Sequence, residues 1–186
     1  MTTEELWELF PIILTEPRAE WRRWYAEERA RLAALLPPGL LSIHHIGSTA
    51  IQGIWAKPIV DMLAEVPEGT AMAGVKACLI RAGYTCMSEG EGRMSFNRGY
   101  TPEGFADKVF HLHLRCAGDN DELYFRDYMN AHPELARQYE ALKLSLWKRF
   151  EHHRDGYTDA KSAFVAAHTA AAKKLLRCGA ARPPRA

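Results

Sequence analysis

The sequence predicts an α+β fold, and three observations carry that expectation. Two strand-like segments precede a helix and three further strand-like segments, and everything after about residue 119 has helical spacing. The composition, 47% apolar and 25% charged over 186 residues, is that of an ordinary globular chain. No repeat of 20–50 residues and no low-complexity tract interrupts it. A chain of this length buries roughly 70% of its unfolded surface, enough for a sizeable core.

Each element has its own signal. Thr3 to Phe10 reads as a short amphipathic helix stopped by Pro11. A longer helix follows Thr15, with Trp21, Trp24, Tyr25, Leu32, Leu35 and Leu36 at helical spacing, and Pro37-Pro38-Gly39 ends it. The period then changes: Leu40 to Ile46 alternates as a strand, and Ile59 to Val66 is rich in branched residues. Ala71 to Arg81 is a helix closed by Gly83, and Tyr84–Met87 with Arg93–Asn97 reads as a hairpin across the turn at 88–92. Lys108 to Cys116 is a further strand. The Gly- and acid-rich stretch 88–107 is expected to be the long irregular region and the mobile loop. Asp119 and Glu122 have capping-box spacing for a helix through Ala131. Pro133 suits the first turn of the next helix, whose stripe is Leu135, Tyr139, Leu142, Leu146 and Phe150. Asp155 opens a last helix to about Leu176, leaving a basic tail at 177–186.

Charge and cysteine usage exclude several classes. Twenty-four basic against 23 acidic residues give a net charge of +1, which draws the chain neither to nucleic acid nor to an anionic membrane. No apolar run reaches the roughly 20 residues a membrane span needs. Four cysteines without CxxC spacing, and an acidic start without an apolar leader core, fit a reduced, cytoplasmic protein.

The chemistry-bearing residues gather in one segment: Ile43-His44-His45-Ile46-Gly47-Ser48-Thr49, then Lys57-Pro58-Ile59-Val60-Asp61-Met62-Leu63. Gly47 permits close approach to the backbone, and the Ser48 and Thr49 hydroxyls offer a cradle for phosphate oxygens. Asp61, 13 residues beyond Ser48, can hold a divalent metal beside it. The alternative reading of the same residues is a tight turn with a hydrogen-bonded Asp61.

These segments resemble the GrpB-like family of the nucleotidyltransferase (polymerase-beta-like) superfamily. The resemblance rests on His45-Ile46-Gly47-Ser48-Thr49 and Lys57-Pro58-Ile59-Val60-Asp61. It extends through His111-Leu112-His113, Phe125-Arg126-Asp127-Tyr128 with His132-Pro133, and Tyr157-Thr158-Asp159-Ala160-Lys161 with Phe164. It implies a single domain over 1–176, with a mixed twisted sheet of four to five strands, helices on one face and a C-terminal helical group. It also implies a metal-dependent transferase using Mg²⁺ or Mn²⁺ and a nucleoside triphosphate; the near-zero net charge favours a small hydroxyl- or amine-bearing acceptor over a polynucleotide.

One departure stands out. The superfamily places two acids two residues apart on one strand, and the second position here is Leu63. Glu65 shares that face but lies about 13 Å from Asp61 along the strand, and is expected to be solvated or at the strand end. His111 and His113 share one strand face and can supply metal ligands with Asp61, or a general base. Gly47, Ser48, Thr49, Lys57 and Arg126 are the candidate phosphate contacts, and Lys161 is the cation that offsets developing charge. His45 is expected to act behind Gly47. Two other functions fit the same residues: a nucleotide- or phosphate-binding module without catalysis, and a metallohydrolase built on Asp61, His111 and His113.

Overall fold

Strand β2 (Ile59–Val66) shows why the sheet forms where it does. Seven of its eight residues are buried, the near-continuous apolar run of a strand covered on both faces. In the computed structural model, which describes residues 2–36, 40 and 42–177, β2 lies between β1 (Ser42–Ile46) and β5 (Gly104–Cys116). The sheet order is β1-β2-β5-β4-β3, with β3 spanning Thr85–Gly90 and β4 spanning Arg93–Thr101. β2 and β5 run parallel and all other neighbours antiparallel. The crossover that parallel pairing requires runs through helix α3 (Met72–Arg81) and the β3–β4 hairpin.

Register divides the sheet into two chemically distinct faces. Met62, Ala64, Phe96, Phe110, Leu112 and Leu114 share one face and are at most 1% exposed. Helix α2 (Glu20–Leu35) lies on this face: Tyr25 stacks on His45 at 4.8 Å and donates to the Ile43 carbonyl at 2.9 Å. Glu28 of α2, itself 3% exposed, accepts hydrogen bonds from Arg31, Tyr84 and Arg98. The Arg98 guanidinium in turn lies 4.8 Å from the Phe110 ring centre. The opposite face carries Asp61, Leu63, Glu65, Asn97, His111 and His113.

The described residues form two compact units. The sheet unit comprises residues 18–50 and 58–120, and the helical unit comprises 2–17, 51–57 and 121–177. The helical unit holds α1 (Thr3–Leu9), α4 (Asp121–Ala131), α5 (Pro133–Trp147) and α6 (Arg154–Arg177). Ile51 and Ile54 pack with Phe125, Met129, Ala136 and Tyr139, while Ile12 and Leu14 pack with Tyr157. The connector 51–57 is tied down through its backbone. Gln52 N donates to Asn130 Oδ1 at 2.9 Å, Trp55 N to Glu140 Oε1 at 2.5 Å, and Ala56 pairs with Thr15.

Most expected elements are present, and β2 begins and ends where the sequence places it. The stretch 88–107 is the main correction. It is almost wholly strand, because two tight turns at Glu91-Gly92 and Pro102-Glu103 close successive hairpins. Gly92 has φ +68 and Gly104 φ +120, conformations that glycine supplies readily. Asp119 does not cap α4; its carboxylate pairs with Arg93 and Arg115, and the helix begins at Asp121. Helix α2 starts at Glu20 rather than after Thr15, which is bridged to Ala56. Glu65 is buried rather than solvated: its Oε1 accepts from Gly118 N at 3.0 Å and Asn120 Nδ2 at 2.9 Å. Cys78, Cys86 and Cys116 are free thiols. No helix among the described residues is long and apolar enough to cross a membrane. The expected stop at Pro37-Pro38-Gly39 and the tail beyond Arg177 lie outside the described residues.

Candidate functional site

The site in the sheet unit begins with a backbone requirement. Gly47, directly after β1, has φ +70, a region costing other residues about 1–2 kcal/mol. A Cβ built there would stand 2.9 Å from Asp61 Cβ and Cγ, and nearer still to Oδ2. The Asp61 side chain therefore rests on the Gly47 backbone, an approach no other residue permits. Register produces this contact, because Ile46 is the antiparallel partner of Asp61.

The two Asp61 oxygens are not equivalent. Oδ1 lies 3.0 Å from His111 Nδ1, and Oδ2 is the atom turned to Gly47. Asp61 and His111 are direct parallel-strand partners, so their side chains leave the same face side by side. His111 Nε2 is held in turn, 2.8 Å from Tyr100 Oη, with the two rings stacked at 5.8 Å. Next to an ionised Asp61, Nδ1 carries the hydrogen, and in the neutral ring Nε2 accepts from the Tyr100 hydroxyl.

Tyr100 reaches this face because of a bulge. Asn97 pairs with His111 on the site face and Arg98 with Phe110 on the other, so strict alternation would send Tyr100 to the Arg98 side. The register slips between Arg98 and Tyr100 at Gly99, where φ is +93 and a Cβ would sit 3.0 Å from Val109 Cα. The bulge changes the parity of the strand. An isolated glycine within a strand pattern is the sequence signal that finds it.

Ser48 follows Gly47 in a single turn of 3-10 helix, Ser48–Ala50. Among the described residues its hydroxyl makes no hydrogen bond, and the residue is partly exposed. Thr49, expected beside it in the cradle, turns inward instead. Its hydroxyl donates to the Ile59 carbonyl at 3.2 Å and accepts from His45 Nε2 at 2.9 Å. Thr49 and His45 thus brace the turn that Gly47 and Ser48 present.

The expected metal set of Asp61, His111 and His113 is not brought together. Among the described residues, no three His, Cys, Asp or Glu side chains form a group able to hold a metal ion. Both His111 ring nitrogens are engaged by Asp61 and Tyr100. His113 is paired with Leu63, two residues or about 6.6 Å further along. Leu63, where the superfamily has its second acid, is fully buried.

Lys57, Arg126 and Lys161 belong to the helical unit. Arg126 is 5% exposed and forms an ion pair with Asp127, Nε to Oδ1 at 2.7 Å. Lys57 and Lys161 lie over one ring, Tyr157, at 5.7 and 4.6 Å from its centre. Lys143 of α5, which sequence reasoning overlooked, joins them: it is 1% exposed and donates to the Trp55 carbonyl. Burial brings its pKa down to about 7, with the Lys161 charge contributing next. No local motif marks it, because a lysine within the α5 stripe reads as a solvated helix residue.

An α+β chain with a five-stranded mixed sheet and an Asp61 seated on a Gly-Ser turn defines the class; the family follows from sequence. The family described as GrpB protein matches residues 11–171, and the chain belongs to this family. YqkA of Bacillus subtilis, a UPF0157 protein, is 37% identical over 130 residues, covering 68% of this chain and 37% of YqkA. This chain thus spans little more than a third of that relative. The crystal structure of GrpB from Enterococcus faecalis superposes with a TM-score of 0.77 at 29% identity, covering 88% of this chain and 99% of that one. Cid1 poly(U) polymerase aligns more weakly, with a TM-score of 0.48 at 13% identity over 76% of this chain and 43% of its own.

Proposed function

We propose that the protein is a metal-dependent nucleotidyltransferase acting on a nucleoside triphosphate and a small-molecule acceptor. The observation that carries this reading is the seating of Asp61 on Gly47, beside the Ser48 hydroxyl. That arrangement sets a carboxylate beside an uncommitted hydroxyl at a turn whose backbone a phosphate can approach closely.

The donor chemistry suits Mg²⁺ or Mn²⁺ held mainly by Asp61. Mg²⁺ is commonly bound through one or two carboxylates plus substrate phosphates and water, which a single Asp61 with a triphosphate satisfies. Bound there, the ion would neutralise phosphate charge and polarise the phosphorus under attack. In this reading the Gly47 backbone and the Ser48 hydroxyl orient the phosphates, and His111 keeps Asp61 Oδ1 occupied so that Oδ2 faces the ligand. His113 stands as the general base for the acceptor hydroxyl or amine, a role imidazole suits near neutral pH.

A second reading has its own support. Leu63 at the second acid position leaves one carboxylate where paired acids would grip two ions, which favours a nucleotide-binding module without catalysis. The metallohydrolase reading has less, because its three-residue ligand set is not gathered.

Thermal unfolding of wild type and Asp61→Ala against the four nucleoside triphosphates, with Mg²⁺, Mn²⁺ or EDTA, separates these. Ligand at 100 times its Kd stabilises by about 2.7 kcal/mol. A shift that needs metal and disappears in Asp61→Ala supports the transferase. A shift indifferent to both supports the binding module, and no shift with any nucleotide removes the proposal.

A further inference from the structure

The sheet face that carries Asp61 continues across β4 and β3. Antiparallel partners point to the same side, so Asn97, partner of His111, and Ser95, partner of His113, stand on the Asp61 face. Their own partners on β3, Thr85 and Ser88, stand there too. Strict alternation would put Thr85 and Ser88 on opposite faces; the register slip between Cys86 and Ser88 brings both to this one.

Four neutral side chains thus form a grid beside the two histidines. Thr85 and Ser88 are exposed, Ser95 is partly buried and Asn97 is 8% exposed, so the grid deepens from the sheet edge towards His111. Among the described residues, none of the four side chains makes a hydrogen bond. Hydroxyls on the solvated side of an antiparallel sheet are ordinary, but Asn97 is not. Asparagine is disfavoured in strands, and a buried amide left without partners costs about 1–3 kcal/mol. Its two donors and its acceptor oxygen are held beside His111 with nothing in the described chain to take them up. A group so placed is explained by a partner from outside the chain.

The chemistry of the grid selects that partner. Anions are best held by charged donors and cations by carboxylates, and the grid has neither. Arg93 and Arg115, the next pair along this face, are joined to Asp119. What the grid offers is three hydroxyls and an amide, groups that both donate and accept. A neutral molecule carrying several hydroxyls matches them.

We infer that Thr85, Ser88, Ser95 and Asn97 form the acceptor subsite, and that the acceptor is a neutral polyhydroxyl molecule of the sugar class. The inference rests on the nucleotidyltransferase reading only for calling this ligand an acceptor. Asn97 lies two strand spacings, about 10 Å, from Asp61, and Ser95 adjoins His113. A molecule seated on the grid therefore presents a hydroxyl to His113. In the transfer that oxygen bonds to the α-phosphorus and its proton passes to His113. The bond from the α-phosphorus to the bridging oxygen of the β-phosphate breaks, and pyrophosphate leaves with the electron pair. Asn97 binds and aims the acceptor and takes no proton.

Saturation-transfer NMR titrations of the full chain with glucose and with myo-inositol, without metal or nucleotide, test it. At least one is expected to bind, about tenfold or more weakly in Asn97→Leu, and more weakly in Ser95→Ala. Asn97→Leu keeps the volume and removes an unpaired amide, so it is expected to unfold at the wild-type temperature or above. An asparagine needed for the fold would lower that temperature. Gluconate and glucosamine, which add a charge to the same hydroxyls, are expected to bind more weakly than glucose. No binding of either neutral probe, undiminished binding in Asn97→Leu, a lower unfolding temperature in that variant, or a charged probe binding as tightly as glucose would each overturn the inference. So would an altered ranking of the four nucleoside triphosphates in Asn97→Leu, which would assign the amide to the nucleobase. Failure of the sugar titrations leaves the nucleotide reading standing. Sugar binding in a protein that binds no nucleotide keeps the subsite and removes only its acceptor role.

Discussion

Asp61 and Gly47 occupy each other's space: the carboxylate of one lies where a side chain on the other would be. Gly47 cannot take a side chain while Asp61 keeps its own, which makes the pair a sensitive probe of the site. Gly47→Ala is expected to cost about 1–2 kcal/mol for the left-handed backbone alone, with the collision against Asp61 added. Urea unfolding of Gly47→Ala, Asp61→Ala and the double variant measures the two parts. The double variant should recover the collision and keep the backbone cost; strictly additive losses would refute the contact.

Tyr100 holds His111, and His111 holds Asp61. Tyr100→Phe removes one hydrogen bond and is expected to lower stability by about 1 kcal/mol. Under the proposed function it should weaken Mn²⁺-dependent nucleotide binding more than metal-free binding, because the carboxylate loses its fixed orientation. Gly99→Ala should act in the same direction by disturbing the bulge that turns Tyr100 onto this face. Nucleotide titrations with Mn²⁺ and with EDTA decide; equal losses in both would show Tyr100 to be structural only.

Lys143 gives stability an alkaline slope. Its pKa of about 7 lies below the ordinary 10.5, so between those values the unfolded chain binds the extra proton. Unfolding free energy therefore rises as pH increases from about 7 towards 10, and the penalty is fully present below 7. Each pKa unit corresponds to about 1.4 kcal/mol, so the gain across the window is at most a few kcal/mol. Lys143→Met should flatten the slope between pH 7 and 9.5 in urea unfolding. Identical slopes would contradict the buried, cation-crowded setting.

Glu28 also has a lowered pKa, but its shift is a stabilisation and belongs to the acid limb. Burial raises its carboxyl pKa, but hydrogen bonds from Arg31 and Tyr84 and the charges of Arg98 and Arg31 outweigh burial and leave it lowered. Its contribution is present above pH 4.5 and is lost as pH falls through the lower folded value. Glu28→Ala strands Arg98 and Tyr84 beside the sheet, with an expected loss of about 3–5 kcal/mol. Acid-unfolding midpoints of wild type and Glu28→Gln check it; unchanged midpoints would show the network to be idle.

How far the sequence was legible depends on how local the cause was. β2 was readable because a doubly covered strand writes its burial directly into composition, and Pro133 marked its helix start for the same local reason. Beyond Arg93–Asn97, the strand residues of 88–107 were not, because exposed positions such as Ser88, Glu89 and Asp107 are polar, and two hairpin turns in quick succession look like one loop. Asp61 with Gly47 and Ser48 was legible from spacing. Thr49 was misjudged because its partners, His45 and the Ile59 carbonyl, depend on how the turn folds back. Lys143 and Tyr100 were missed for a common reason: each acquires its role from residues far away in sequence, one from Trp55 and the other from His111.

The helical unit is assembled from residues 2–17, 51–57 and 121–177, whereas the sheet unit is complete once residue 120 has been made. On the ribosome the two therefore cannot mature together. The sheet can close while α4 to α6 are still unsynthesised, since domains generally fold as units during synthesis. Ile12, Leu14, Ile51 and Ile54 must meanwhile wait, apolar and uncovered, for Phe125, Tyr139 and Tyr157 to emerge. Slowing translation after residue 120 would prolong that exposure, making the nascent chain a client for holdase chaperones in proportion to the pause.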